Sequence, residues 1–213
     1  MKRERVKILL EQAQEYSEQN LFEQSAQYFQ KAFDLYPDAF DCKDIYNMGS
    51  CYYMIQNDPL AIEFLDMAAE CMLNDNMLHY IYGFLGNSHL RQGYFRKALL
   101  YFEKSFTLAQ DYYEVSSSYS DIGKVYYEIE EYDIAIDNQE KAIEIYLKEI
   151  SATEREVMDG SVNDGVLGEY YYDLALSYNK KDVNINVDDY LKKAALSGYE
   201  FAIEVCRQNG LKY

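Results

Sequence analysis

A small residue followed three positions later by a tyrosine or histidine returns along this chain at nearly constant spacing. The copies are Met48-Gly49-x-x-Tyr52, Leu85-Gly86-x-x-His89, Ile122-Gly123-x-x-Tyr126 and Leu174-Ala175-x-x-Tyr178, with a degenerate first copy at Gln12-Ala13-x-x-Tyr16. Counted from Ala13, the steps are 36, 37, 37 and 52 residues. A fixed period of this length means one structural unit stacked on copies of itself, because a single unit is too small to bury its own apolar face.

The rest of each copy says what the unit is. One helical turn before each pair stands a large residue, Leu9, Ile45, Tyr82, Tyr119 or Tyr171, on the same helix face. Twelve residues after the small residue comes Ser25, Ala61, Ala98, Ala135 or Val187, and seven further on Ala32, Ala68, Ser105, Ala142 or Ala194. Between them lie Phe29, Leu65, Phe102, Gln139 and Leu191. Small residues at these places let two helices approach closely while the large one fills the groove between them. Only two prolines occur in the 213 residues, Pro37 and Pro59, and both fall at expected helix breaks, so the chain reads as all-α.

This pattern resembles the tetratricopeptide repeat family, whose units run large-x-x-Leu-Gly-x-x-Tyr, then Ala-x-x-x-Phe, then Ala and Pro. Pro37 in Asp34-Leu35-Tyr36-Pro37 and the turn Gln92-Gly93-Tyr94-Phe95 match it closely. The departures are repeats two or three residues longer than usual, absorbed in longer turns, and Gln139 in place of a large apolar residue. The resemblance implies one domain over 1–213, a right-handed α-α superhelix of about five helix pairs. These are expected near 6–39, 42–75, 79–112, 116–158 and 168–198. A capping helix at 199–209 follows a run, Ala194-Ala195-Leu196-Ser197-Gly198, that resembles a related short helical repeat, and Asn209-Gly210 ends it. The long step from Gly123 to Ala175 is read as an extension of the fourth pair's second helix towards Met158, then a loop in which Gly160, Asn163, Asp164, Gly165 and Gly168 supply turn chemistry.

Charge narrows the partners. A formal net charge of −17 repels phosphate backbones and anionic lipid, so neither nucleic acid nor membrane is expected. Between Asp111 and Asp164 stand 15 acidic and 4 basic residues, which reads as a solvated face. Cys42, Cys51, Cys71 and Cys206 lack Cys-x-x-Cys spacing, and with no signal core they are expected as reduced thiols in a cytoplasmic protein.

No catalytic constellation is present in the sequence, and no cofactor or metal is expected. Of the two histidines, His89 occupies the tyrosine position of its repeat and is expected in the core, while His79 reads as a surface or capping residue. Glu130-Glu131 and Asp188-Asp189 read as ordinary partners of helix starts.

In the family, ligands lie against the first helix of each pair. Carried onto this chain, that face holds Tyr46, Ser50, Tyr53, Tyr80, Asn87, Arg91, Lys124, Tyr127, Tyr172 and Asn179, an aromatic and amide-rich set with few carboxylates. Tyrosine offers rigid contact area and asparagine bonds peptide backbone, so the set suits a protein or peptide segment. The family's carboxylate-clamping adaptors are set aside because the first-repeat positions are Leu10 and Gln14, without cations. A non-enzymatic scaffold or adaptor is thus expected. The alternatives are a peptide-responsive regulator that changes superhelical pitch, and an acidic inhibitor or immunity-type protein covering a basic partner.

Overall fold

A computed structural model describes residues 2–72, 74–149, 164–181 and 187–213. Those residues form α-helices joined by short turns, with no strand among them. The pairs are α1 (Lys2–Glu18) with α2 (Phe22–Leu35), α3 (Cys42–Met54) with α4 (Asp58–Cys71), α5 (Asp75–Arg91) with α6 (Phe95–Leu108), α7 (Tyr112–Glu128) with α8 (Tyr132–Glu149), and α9 (Gly165–Lys181) with α10 (Val187–Leu196). A last helix, α11 (Glu200–Gln208), packs on α10. The chain divides into two compact units, Met1–Leu108 and Ala109–Tyr213.

Local chemistry starts the helices. Asp41 caps α3 by accepting from the Asp44 amide at 2.8 Å, and Asp44 returns the bond to the Asp41 amide, which satisfies two otherwise orphaned donors. Asn74 accepts from the amides of Asn76 and Met77 at the head of α5, and Asp111 from that of Glu114 at the head of α7. Pro59 sits in the first turn of α4, where its missing N–H costs nothing, and Pro37 opens a 3₁₀ turn, Pro37–Ala39, that ends α2.

The turn inside each pair is built one way in four copies. The residue seven positions after the repeat's small residue is left-handed: Asn20 (φ 58°), Gln56 (57°), Gly93 (75°) and Glu130 (65°). The next amide donates to the carbonyl of the repeat's tyrosine or histidine, Leu21 to Tyr16, Asn57 to Tyr52, Tyr94 to His89 and Glu131 to Tyr126, each at 2.9 Å. This six-to-one closure returns the chain as the antiparallel second helix. Glu130 is therefore a turn residue, and its neighbour's carbonyl accepts from the Ala135 amide as α8 begins.

Close approach explains the small residues. A Cβ on Gly49 would stand 2.9 Å from Leu65, one on Gly86 2.5 Å from the ring of Phe102, and one on Gly123 3.0 Å from Gln139. In each copy the contact is to the residue 16 positions later on the second helix. In the first unit, Ala13, Phe29, Met48, Leu65, Ala68, Ile81 and Leu85 join one buried apolar cluster. In the second unit one cluster gathers Ile136, Ile143, Leu167, Leu174 and Tyr178, and another Ala175, Leu191, Ala194, Ala202 and Cys206.

Three expectations change, and a fourth falls on residues that are not described. Gly165 and Gly168 are not loop residues: α9 begins at Gly165 under the Asp164 cap, and Gly168 is buried where a Cβ would meet Tyr199 at 2.8 Å. The expected extension of α8 to Met158 lies outside the described residues beyond Glu149. His79 is neither surface nor cap; α5 starts four residues earlier, and His79 is buried with Nδ1 2.9 Å from the Ser105 carbonyl oxygen. Finally, Cys42 and Cys71 are joined by a disulfide, because the helix hairpin brings the start of α3 and the end of α4 to a Cα separation of 5.8 Å; Cys51 and Cys206 remain buried thiols.

Candidate functional site

In the first unit the first-helix face is built by α3 and α5. Tyr80, Phe84, Asn87 and Arg91 follow one another at steps of four, three and four, so they share one stripe of α5. Phe84 lies between two tyrosines of α3, with its ring centroid 4.4 Å from Tyr53 and 6.5 Å from Tyr46, both stacked. The Arg91 guanidinium sits 4.4 Å from the Tyr53 ring centroid and donates to the Asp58 carboxylate through Nη2 and through Nε, the latter at 3.0 and 3.1 Å. Asp58, in the first turn of α4, is itself buried. Burial alone would lower the Arg91 guanidinium, but its bonds to Asp58 and Tyr53 more than offset this and raise it.

Tyr80 is 41% exposed, Asn87 donates to the Gly83 carbonyl at 3.1 Å, and Ser50 donates to that of Asn47 at 2.9 Å. All six residues expected here thus lie on these two helices, and an aromatic stack with a clamped arginine joins Tyr46, Tyr53 and Arg91. Phe84 and Asp58 went unread. The stripe spacing pointed to Phe84; nothing in the sequence pointed to Asp58, which reaches Arg91 only through the fold.

The second unit differs. Lys124 is surrounded by carboxylates: its Nζ is 2.5 Å from Glu169, 3.6 Å from Asp121 and 3.8 Å from Asp173. Asp121 and Lys124 lie on α7, Glu169 and Asp173 on α9, so carboxylates do occupy the first-helix face here, against the expectation. Burial would lower the Lys124 amine, but the three carboxylates outweigh it and push it up. Asp173 responds the other way: burial first, then the charges of Glu169 and Asp121, raise its carboxyl to about 7 in spite of Lys124.

Tyrosines rim this cluster. Tyr172 leans on Tyr199 at 5.3 Å, Tyr127 meets Tyr132 edge-on at 5.8 Å, and Tyr199 is pushed up to about 12 by burial and then by Glu169 and Asp173. Asn179 is exposed near the end of α9. Among the described residues no group of histidine, cysteine, aspartate and glutamate is placed to hold a metal ion, and no helix is long and apolar enough to cross a membrane.

Family models for the tetratricopeptide repeat match residues 6–39 and 77–148, which are the first pair and the third and fourth pairs. This is a tetratricopeptide repeat protein. No match is found among the curated proteins. Among solved structures, the repeat protein is similar to the MamA protein, at 20% identity over 98% of this chain and 97% of that one, with a TM-score of 0.63. It is also similar to the apo form of RapI, at 14% identity over 89% of this chain and 52% of that one (TM-score 0.68). A putative kinesin light chain from Podospora anserina with nearly identical repeats matches at 11% identity over 93% and 97% (TM-score 0.64). These likenesses show the fold, an α-α repeat architecture.

Proposed function

We propose that this repeat protein is a non-enzymatic scaffold or adaptor that binds an extended or helical segment of a partner protein against the first helices of its pairs. The observation that carries this reading is the Tyr46–Phe84–Tyr53 stack with Arg91 laid on Tyr53 and anchored by Asp58. Aromatic rings and a pre-positioned guanidinium lose little freedom on binding, so they make effective anchors for a peptide backbone and its side chains. On the first helices of the second unit the contacts in this reading are Lys124, Tyr127, Tyr172 and Asn179.

The test is capture of native partners from lysate by the full chain and by variants. Replacing Tyr53 and Tyr127 together with alanine is expected to abolish capture, since aromatic anchors commonly contribute about 2 kcal/mol or more each. Charge reversal at Asp137 and Glu144, both exposed on the second helix α8, is expected to leave capture intact. Capture that survives the tyrosine changes and fails on charge reversal favours the acidic-inhibitor alternative instead. Circular dichroism of each variant separates lost binding from lost folding.

A further inference from the structure

We propose that the acidic pocket around Lys124, on the face made by α7 and α9, receives a lysine or arginine side chain of the bound protein segment. This rests on reading the first-helix faces as the partner surface, and it adds the partner's chemistry.

The cluster is short of positive charge. One ammonium faces three carboxylates, Asp121, Glu169 and Asp173. Lys124 donates a hydrogen bond to Glu169 and stands beyond hydrogen-bonding distance of the two aspartates. Asp173 Oδ2 is wholly enclosed and accepts no hydrogen bond, a costly state for a carboxylate oxygen unless a donor arrives. An ammonium or guanidinium supplies that donor and reduces the imbalance of charge at the same moment.

The surroundings suit such a group. The ionisable side chains that feel this cluster are Tyr113 from the start of α7, Tyr127 at its end, Tyr170 on α9 and Tyr199 before α11. Tyrosine rings attract cations through their faces, and none of these residues is cationic. Glu169 is 39% exposed and opens the pocket to solvent. The whole unit, with 22 acidic and 10 basic residues, steers basic segments towards it. The three carboxylates do not form a metal-ligand set. At the register of Asp121 and Asp173 the first unit has Glu11, Asn47 and Phe84, a single carboxylate that is exposed and paired with Lys7, so the clustered carboxylates belong to the second unit.

Fluorescence anisotropy of the full chain with labelled octa-arginine and its neutral isostere octa-citrulline, at about 0.15 M salt and at about pH 8, where Asp173 is ionised, tests this. Octa-arginine is expected to bind and octa-citrulline to bind far less. Asp173→Asn with Glu169→Gln is expected to weaken octa-arginine about tenfold or more, and Asp137→Asn with Glu144→Gln, an equal change of charge on α8, less than about twofold. Equal weakening by the two pairs, equal binding of the two peptides, or no binding of octa-arginine overturns the proposal. Should the double variant unfold, Glu169→Gln alone, at a half-open site, is expected to weaken octa-arginine about threefold with an unchanged melting curve, and no weakening overturns the proposal equally. In lysate capture, a partner lost by the Tyr53 and Tyr127 variant but kept by the Asp173 and Glu169 variant removes the cation site and leaves the surface; a partner kept by both removes the surface as well.

Discussion

The third and fourth helix pairs, one in each compact unit, are the same frame filled differently. Gly86 lies under Phe102, a fully buried ring, and Gly123 lies under Gln139, buried to the same degree with an amide oxygen that accepts no hydrogen bond. The turns between their helices close with the same bond at the same length. Their outer faces diverge too, since α5 carries Tyr80, Phe84, Asn87 and Arg91 where α7 carries Ser117, Asp121, Lys124 and Glu128. The lesson is that the frame depends on a few places of close backbone approach, and these tolerate chemical variety at the residue that covers them and on the face that points away.

The strongest way to break that equivalence is at the covering residue. Phe102→Ala is expected to cost about 3–5 kcal/mol, because a buried ring is deleted from a site that cannot collapse around a glycine. Gln139→Leu at the same register is expected to stabilise by about 1 kcal/mol, since it removes a buried acceptor left unpaired. Thermal unfolding of the full chain measures both, and a destabilising leucine would mean that Gln139 finds a partner after all.

Titration sharpens the comparison of faces. Asp173 holds its proton up to about pH 7 in the folded chain against an ordinary value of 3.8. Between those values the folded state binds more protons than the unfolded one, so this group's contribution to stability is complete below about pH 4 and is lost as pH rises through 7. Asp173→Asn is therefore expected to melt several degrees higher than the parent near pH 8, with the gap closing towards pH 4. A gap that is constant with pH contradicts the assignment.

The smallest effect concerns the shared turn. Gln56 and Glu130 take a left-handed conformation that glycine takes at Gly93. Changing either to glycine is expected to gain about 0.5–1 kcal/mol by relieving the side chain's clash, and equal gains in the two units would confirm that the turn is one device used twice. A loss in either would show that its side chain has a structural role that the backbone geometry hides.

Much of this was legible in the residues. The all-helical class, the pairing, the positions of the small residues and the burial of His89 follow from spacing, because 3.6 residues per turn converts sequence intervals directly into helix faces. The ten candidate residues carried over from the family resemblance, six in the first unit and four in the second, lie on the first helices of their pairs. Asp121, Glu169 and Asp173 lie on the same first helices, α7 and α9, and were missed because that face was expected to hold few carboxylates.

Other features depend on residues far apart in the chain meeting. The Cys42–Cys71 bond, the Asp58 clamp on Arg91, the Ser105 contacts that hold His79 and the approach of Glu169 and Asp173 to Lys124 join residues separated by 26 to 49 positions, and no local interval encodes them. The amino-acid sequence alone determined the repeat, the helix pairs and their turns, since those rest on short-range backbone geometry and the size of a few side chains. Only the tertiary structure decided which charges pair and how deeply they are buried, because the energy of a charge is set by the distance and dielectric of its surroundings, and both are created when neighbouring helices pack.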